Sequence, residues 1–328
     1  MKRVELLPPG PFFKANQHSH TTLSDGELSP EAMRDAYAKE GYQVLAITDH
    51  NHLESHEALG DGHFLLLTAY EVDFNEAEGE NWVRGKCCHL NLYSPTPCPP
   101  GQPDEGMSRA YTPESINAVI EKARSMGDLV SYNHPQWSME TGDNYNRYEG
   151  CFAMEVRNYG CTADGRQDSD NILVYEELLR HGKRLGVLAT DDNHNRHPFG
   201  HPNCDSFGGF TMVAAPELTY EAVFRALQKG DYYASGGPEI KEVWIEDGCI
   251  HIACAPCEEI ILACGSRRAD RVARGNGPAL TGARFPLEKT DGYVRLEISD
   301  EKGRRAYTRA YFPGDDFDES VYEGSPAL

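Results

Sequence analysis

Short apolar runs alternate with amphipathic segments along the first part of the chain. In the first unit, Ser29 and Pro30 precede "EAMRDAYAKE", and Gly41 follows it. A serine N-cap, a proline at the first helical position and a closing glycine are typical boundaries of a helix. The apolar run Val44–Ile47 comes next and has the length of a strand that is buried on both faces.

The same order of helix and then strand recurs three more times. Thr112 and Pro113 open a helix with apolar residues at helical spacing, which ends at Gly127 before the strand "DLVSYNHP". A third unit runs from about Ser169 through "NILVYEELLRHG" to "RLGVLATDDNH", and a fourth runs from "TYEAVFRALQKG" into "DYYAS". This alternation predicts an α/β fold in which helical crossovers join parallel strands.

The pattern changes after Pro238. Apolar and polar residues then alternate on both sides of an Asp-Gly pair at 247–248 and of a Lys-Gly pair at 302–303, which are hairpin signals. We therefore predict two domains, 1–238 and 239–328, and expect the second to be a β-sandwich-like antiparallel module. The pattern leaves open whether this module braces the first domain, mediates dimers or shapes the pocket.

The composition is that of a soluble protein with reduced cysteines. The 328 residues contain no apolar run of 18 or more. The N-terminal "MKRVELLPPGPFF" lacks the apolar core of a secretory signal, so a cytoplasmic location is expected. The 10 cysteines are irregularly spaced, which argues against a disulfide framework. Cys254 and Cys257 have no matching second pair for zinc, and we interpret them as small packing residues of a strand.

The charge restricts the partners. A formal net charge of -21 argues against binding a nucleic-acid polymer, because such proteins usually display a clustered basic face. It does not exclude a small anionic substrate, which meets only the local charge, and bound cations can reverse that charge. No membrane partner is expected, and a homo-oligomer stays open.

Histidines and carboxylates stand at or just after many of the apparent strand ends. In parallel α/β folds these ends meet at one rim, and residues two apart on a strand face the same way. A mixture of imidazole and carboxylate suits zinc, iron or manganese. Asp49 is the acid that we expect to be structural. The residues of the set are His18, His20, Asp49, His50, Glu71, His89, His134, Asp192 and His194.

The motifs around these residues resemble those of the PHP family, named for polymerase and histidinol phosphatase. Between about Asn16 and Pro238 they read "HSHTTLSDG", "ITDHN", "YEVDF", "HLNLY", "NHP", "MEVRN" and "DDNH", in the order of that family. The resemblance implies a distorted (β/α)7 barrel with a smaller C-terminal antiparallel β domain. It also implies a site for three divalent metal ions, Zn, Fe or Mn, at the carboxyl rim of the barrel.

The resemblance implies a role for each ligand. Glu71 would bridge the first and second metals, and Glu71, Asp192 and His194 would take part in catalysis. Some members have a histidine at the position of Asp25, so the third site here would favour iron or manganese slightly over zinc. The interval from Glu71 to His89 varies, so the ligand could lie one register away. The implied sets are His18, His20 and Asp192 for the first metal, His89 and His134 for the second, and Asp25, His50 and His194 for the third.

Such a centre supports hydrolysis of phosphate esters. Adjacent cations lower the pKa of water and offset phosphoryl charge, so no serine or cysteine nucleophile is needed. We expect a phosphoesterase that acts on a small phosphorylated metabolite, such as a nucleotide or sugar phosphate, by attack of a hydroxide between the metals that share Glu71. The alternatives are an exonuclease or nucleotide 3'-phosphate hydrolase, and a non-catalytic metal-binding or structural module. Glu155 is interpreted as a structural or supporting acid. The candidate substrate-binding residues are Arg157, Arg166, Arg196 and His197.

Overall fold

The structure is a computed structural model that describes residues 3–77, 79–165 and 171–324. Short 3₁₀ helices occupy Glu57–Leu59, Gly79–Arg84 and Glu319–Gly324. The α-helices are α1 (Pro30–Lys39), α2 (Pro113–Ser125), α3 (Gly142–Tyr145), α4 (Tyr159–Ala163), α5 (Ile172–Arg180) and α6 (Tyr220–Lys229). The strands are β1 (Val4–Leu7), β2 (Phe12–Asn16), β3 (Val44–Ile47), β4 (Leu65–Asn75), β5 (Cys87–Tyr93), β6 (Leu129–Tyr132), β7 (Ala153–Asn158), β8 (Gly186–Thr190), β9 (Phe210–Ala214), β10 (Tyr232–Ser235), β11 (Ile240–Glu246), β12 (Cys249–Cys257), β13 (Glu259–Cys264), β14 (Ala269–Ala273), β15 (Leu280–Pro286), β16 (Val294–Ser299) and β17 (Arg305–Thr308).

The fold is a mixed α/β fold with a large sheet. Its 13 strands lie in the order β14-β13-β16-β17-β10-β9-β2-β3-β4-β5-β6-β7-β8. Strands β2, β3 and β4 are parallel, as are β6, β7 and β8. The prediction of parallel strands is wrong for β10, which pairs antiparallel with β9 and β17. Strands β5 and β9 are antiparallel to their neighbours as well. An antiparallel neighbour needs no crossover helix, and only a 3₁₀ turn separates β4 from β5.

The predicted helix boundaries are confirmed where the structure describes them. The Ser29 side chain accepts a hydrogen bond from the Ala32 N–H, and Gly41 follows α1 with a φ of 77°. The Thr112 side chain caps α2 in the same way, and the predicted apolar face of that helix is fully buried. The predicted start of the third helix, near Ser169, lies outside the described residues. None of the described helices is long and apolar enough to cross a membrane.

Both predicted hairpins form. Strands β11 and β12 pair antiparallel through Asp247 and Gly248, whose φ angles are 48° and 72°, as a primed turn requires. Strands β16 and β17 pair in the same way. The first strand of the chain, β1, joins β11, β12 and β15 in a second sheet of four strands. The division at residue 238 stays a prediction, since β1 and β10 each pair with strands beyond it.

The large sheet curls so that its last strand, β8, comes to lie beside β9. The Thr211 hydroxyl of β9 accepts from the Ala189 N–H of β8 and donates to the Ala189 carbonyl. Strands β8 and β9 therefore lie side by side, although β9 pairs with β2 and β10 in the ladder. This curl places the carboxyl ends of β2, β3, β6 and β8 around one opening.

Asp128 should make the stability of this fold depend on pH. It precedes β6 with 8% of its surface exposed, and burial raises the pKa of its carboxyl to about 7. The unfolded value is about 3.9, so the folded chain holds the proton more tightly and stability falls as the pH rises from about 4 to about 7. The Asp128→Asn variant should therefore melt roughly 2–8 °C above the wild type at pH 8, with little difference near pH 4. Thermal unfolding followed by circular dichroism measures this.

The exposed Asp35 of α1 offers a matched control. Asp35→Asn removes the same charge from the surface and should leave the difference in melting temperature independent of pH. An Asp128→Asn effect of equal size at both pH values would contradict the burial explanation.

Candidate metal centre

All nine predicted ligands lie around the opening of the curled sheet, but two of them are not at strand ends. Glu71 lies inside β4, which continues to Asn75, and His89 lies inside β5. Because β5 runs antiparallel to β4, the beginning of β5 lies at the same rim as the end of β4. His89 therefore reaches the centre because β5 is antiparallel to β4. The others follow β2 (His18, His20 and Asp25), β3 (His50), β6 (His134) and β8 (Asp192 and His194).

The Glu71 carboxylate is the middle of the cluster. It is 1% exposed and lies within hydrogen-bond distance of five imidazoles. Burial alone raises the pKa of a carboxyl, but here the charges of His18, His89 and His50 outweigh it and hold the pKa of Glu71 well below its usual range. The distances to Oε1 are 3.2 Å from His18 Nε2, 3.2 Å from His89 Nδ1 and 3.4 Å from His134 Nε2, and those to Oε2 are 3.4 Å from His20 Nε2 and 3.2 Å from His50 Nδ1.

Asp192 is the second carboxylate of the cluster. Its Oδ1 lies 3.1 Å from Nε2 of both His18 and His20, and its Oδ2 lies 3.8 Å from Nε2 of His134. Asp192 has a φ of 50° and His134 a φ of 24°, both in the left-handed region that non-glycine residues seldom adopt. Strained backbone of this kind concentrates at functional sites, where surrounding contacts hold it in place.

Asp25 forms the outer part of the cluster with three imidazoles. Its side chain is 44% exposed, and its Oδ2 lies 3.3 Å from His194 Nε2. Its Oδ1 lies 3.7 Å from His20 Nδ1 and 3.9 Å from His50 Nε2. Burial lowers the pKa of His194, but the hydrogen bond to Asp25 and the charge of Asp192 outweigh it and raise that pKa to about 9.

Two buried acids position the ligands without joining the cluster. The Glu155 carboxylate accepts from His18 Nδ1 at 2.7 Å and from the His134 N–H at 3.0 Å, so it aims His18 Nε2 at the opening. Asp49 accepts from the Thr21 N–H at 2.7 Å and from the Ser24 hydroxyl at 2.6 Å, and so fixes the loop that carries Asp25. These contacts agree with the interpretation of Glu155 and Asp49 as supporting acids, and their roles stay predictions.

The orientation of His18 is evidence that this cluster fits cations. With its proton on Nδ1 toward Glu155, a neutral His18 turns the lone pair of Nε2 toward oxygens of Glu71 and Asp192 at 3.2 and 3.1 Å. His18 Nε2 and His20 Nε2 also face each other at 3.2 Å. Lone pairs that converge in this way need a positive charge between them.

The donor set therefore suits divalent metal ions. Burial lowers the pKa of His18, yet the charges of Asp192, Glu71 and Glu155 raise it well above its usual value. The carboxylates around His18 thus favour a positive charge at this place. His50 Nδ1 is buried and lies 3.2 Å from Glu71 Oε2 without the geometry of a hydrogen bond, as expected of an atom placed for a metal. The predicted division of ligands among three metals stays a prediction, because the groups overlap. Donor atoms lie within 4.8 Å of one another in the sets His20, Asp25, His50 and His194; His18, His134 and Asp192; His18, His20 and Glu71; and His50, Glu71 and His89.

A cavity of about 580 Å³ opens above the cluster, which is a usual size for a small-molecule site. Of the predicted substrate-binding residues, Arg196 and His197 line it. Arg157 does not, since its Nε donates to the Gly208 carbonyl at 3.1 Å. Arg166 lies outside the described residues.

Sequence reasoning missed further residues at this site, among them two asparagines and two tryptophans. Asn133 donates to Glu71 Oε1 at 2.8 Å, and Asn158 donates to Asp192 Oδ2 at 3.0 Å. Both stand inside quoted motifs, "NHP" and "MEVRN", which was a signal that they serve the ligands. Trp82 and Trp137 line the cavity. The position of Trp137 three residues after His134 was a signal too, whereas Trp82 follows no ligand.

Known proteins resemble the chain in part. No protein-family model matches it. Over 80 residues it is 40% identical to the DNA polymerase/3'-5' exonuclease PolX of Bacillus subtilis (strain 168), which is 24% of this chain and 14% of that protein. A two-domain protein from Bacteroides vulgatus ATCC 8482, containing a predicted PHP-like metal-dependent phosphoesterase, has a similar structure. The TM-score is 0.49 at 15% identity, covering 94% of this chain and 99% of that one.

A second solved structure is the lesion-specific endonuclease PfuEndoQ of Pyrococcus furiosus. Its TM-score is 0.39 at 13% identity, covering 83% of this chain and 70% of that one. The chain thus resembles PHP-like metal-dependent phosphoesterases, as its motifs predict. Because both TM-scores are below 0.5, we infer function from the side chains of this chain.

Proposed function

We propose that the protein is a metal-dependent hydrolase of phosphate monoesters and acts on a small phosphorylated metabolite, such as a nucleotide or sugar phosphate. One observation carries the proposal. Six imidazoles and three carboxylates, with Glu71 in the middle, converge at the base of a cavity of about 580 Å³. A cluster of this size would be a costly way to build a core, because each unpaired buried charge opposes folding.

The proposal includes three divalent ions, Zn, Fe or Mn, held by the predicted sets. Bound divalent ions lower the pKa of water and offset negative charge on phosphoryl oxygens. The residues of the chain then have separate roles in holding the ligands and in contacting the substrate. Glu71 and Asp192 keep the imidazoles converged, and Glu155 holds the proton of His18 on Nδ1. Arg196 and His197 line the wall of the cavity, where a cation can meet a phosphate oxygen or the leaving group.

A distorted (β/α)7 barrel is part of the same proposal. The side-by-side placement of β8 and β9, through Thr211 and Ala189, supports a closed arrangement of β2 to β8. The helices α1, α2 and α5 precede β3, β6 and β8 of this region. A barrel of this type places its active site at the carboxyl ends of its strands.

The exonuclease alternative has less support from the residues at the cavity mouth. Asp73, Asp164 and Asp205 line the cavity, and the formal net charge is -21. A polymer of phosphates would meet repulsion from these carboxylates outside the centre. A single phosphate reaches only the metals, so a small substrate fits better.

The test is a substrate screen on protein whose metals have been measured. We expect purified protein to contain divalent metal by mass spectrometry and to release phosphate from at least one small monoester. Nucleotides, sugar phosphates, histidinol phosphate and short oligonucleotides form the panel. Release from oligonucleotides alone would favour the exonuclease, and no release by metal-loaded protein would favour a non-catalytic module.

A further inference from the structure

Two tryptophans form one wall of the cavity above the metal centre. The ring centroids of Trp82 and Trp137 are 6.3 Å apart, with the ring planes inclined by 43°. Trp82 lies in the 3₁₀ helix between β4 and β5, and Trp137 lies in the loop after β6. We call this pair the tryptophan wall. The chain has only 3 tryptophans, and two of them are here.

The inner end of the tryptophan wall touches the metal centre. The Trp137 ring packs edge-on against the His134 imidazole, with centroids 5.0 Å apart, and lies 5.5 Å from the His89 imidazole. Trp137 therefore has a packing role beside two ligands. Trp82 has no such contact with a ligand among the described ring pairs, and 48% of its surface is exposed.

Trp82 and Trp137 both line the cavity, and about half of the surface of Trp82 is exposed there. Aromatic side chains commonly line the pockets that bind small molecules. Asp164 and Asp205, which also line the cavity, supply hydrogen-bond acceptors. The cavity thus has aromatic faces on one side and carboxylate acceptors elsewhere in its lining. This combination suits a planar ring that carries N–H or O–H groups.

We propose that the tryptophan wall is a base-stacking subsite and that the substrate is a mononucleotide rather than a sugar phosphate. This rests on the proposed function, because the metal centre must hold the phosphate. Indole faces stack on any nucleobase. With the phosphate at the metal centre, the ring of an aryl phosphate would lie close to the phosphate and therefore next to Trp137. The base of a nucleotide is separated from the phosphate by a ribose, so it would reach Trp82, which lies beyond Trp137.

The test compares substrates with and without a base in one variant. Adenosine 5'-monophosphate and ribose 5-phosphate share the phosphoryl ribose and differ in the adenine. We expect the wild type to prefer the nucleotide in kcat/KM. Trp82→Ala should lower kcat/KM for the nucleotide roughly 5- to 150-fold, the loss typical of one stacked base, mainly through KM. The loss for ribose 5-phosphate should be much smaller. Equal losses for the two substrates would overturn the inference.

Trp244→Phe is the matched control. Trp244 stacks on His251 in the second sheet, with centroids 4.9 Å apart, and is not part of the cavity. The Trp244→Phe variant should have the same kcat/KM as the wild type for both substrates. Metal content should stay normal in Trp82→Ala, since Trp82 holds no ligand. Phenyl phosphate serves as the aryl arm, and a preference for it that Trp82→Ala leaves intact would overturn the nucleotide assignment.

A binding measurement separates this inference from the proposed function. Adenosine has a base and no phosphate, and should quench the tryptophan fluorescence of the metal-loaded wild type, with weaker binding to Trp82→Ala. Such quenching without phosphate release from any ester would support the subsite and count against the proposed function. Hydrolysis of esters without discrimination by the base, and without quenching, would overturn the subsite and leave the proposed function standing.

Discussion

Glu71→Gln is expected to abolish phosphate release and to reduce bound metal. The amide has nearly the same shape as the carboxylate but lacks its charge, and five imidazoles lie within 3.4 Å of the two oxygens. A neutral amide can no longer offset the cations that these donors hold. Removal of a central electrostatic contact should lower kcat by on the order of 10³-fold or more. Phosphate release and metal content per chain, measured on the same preparation, test this.

Glu140→Gln is the control for a buried carboxylate outside the centre. The Glu140 carboxylate is buried and accepts from the hydroxyls of Tyr111, Tyr132 and Tyr148. An amide oxygen can still accept some of these bonds, so the variant should lose stability but keep its metal and its turnover. Full activity and normal metal content in Glu71→Gln would refute the central position of Glu71.

The features that could be predicted from the sequence are those that depend on neighbouring residues alone, such as the ends of helices. Ser29, Pro30 and Gly41 determine where α1 begins and ends, whatever the rest of the chain does. Most of the candidate ligands could be singled out because histidines and carboxylates recur at apparent strand ends, and the resemblance to the PHP family added Asp25 and the division among metals. Metal-binding side chains at strand ends do not depend on how the strands are ordered, provided that the ends reach one rim.

The parts that were missed depend on how distant segments pair. Whether β5 runs parallel or antiparallel to β4 is decided by its partners in the sheet. The pattern of apolar and polar residues in "HLNLY" suits a strand of either direction. Residues two apart on a regular strand share a face, but the register of β7 shifts between Glu155 and Arg157. Glu155 therefore serves the centre, whereas Arg157 contacts the Gly208 carbonyl. Trp82 lies in a 3₁₀ turn, where no hydrophobic period indicates which way a side chain points.

Metal removal should lower the melting temperature of the wild type, and by more at pH 9 than at pH 6.5. A ligand that binds only the folded state at 100 times its dissociation constant adds about 2.7 kcal/mol. For a chain of this size a chelator should thus lower the melting temperature by about 4 °C for each tightly held metal. Protons compete with metals for the same imidazoles, so metal affinity rises with pH.

The pH trend of the metal-free protein follows from the histidines. Burial lowers the pKa values of His18 and His89, but neighbouring carboxylates raise both well above the usual value, and the pKa of His194 rises to about 9. A histidine whose folded pKa is raised stabilises the fold below about pH 6.5, and this contribution is lost as the pH climbs toward the folded value. His20, whose pKa burial and the charge of His194 lower to about 4, titrates below this window.

Between pH 6.5 and 9 the chelated protein should therefore lose stability while the metal-loaded protein keeps it, because bound metals replace the protons as the cations of the cluster. Thermal unfolding with and without chelator across this range measures the gap, and readdition of metal should close it. Glu71→Gln should show a smaller gap than the wild type at every pH. Identical melting curves with and without chelator would mean that the folded cluster holds protons alone, and the metal centre would then have to be abandoned.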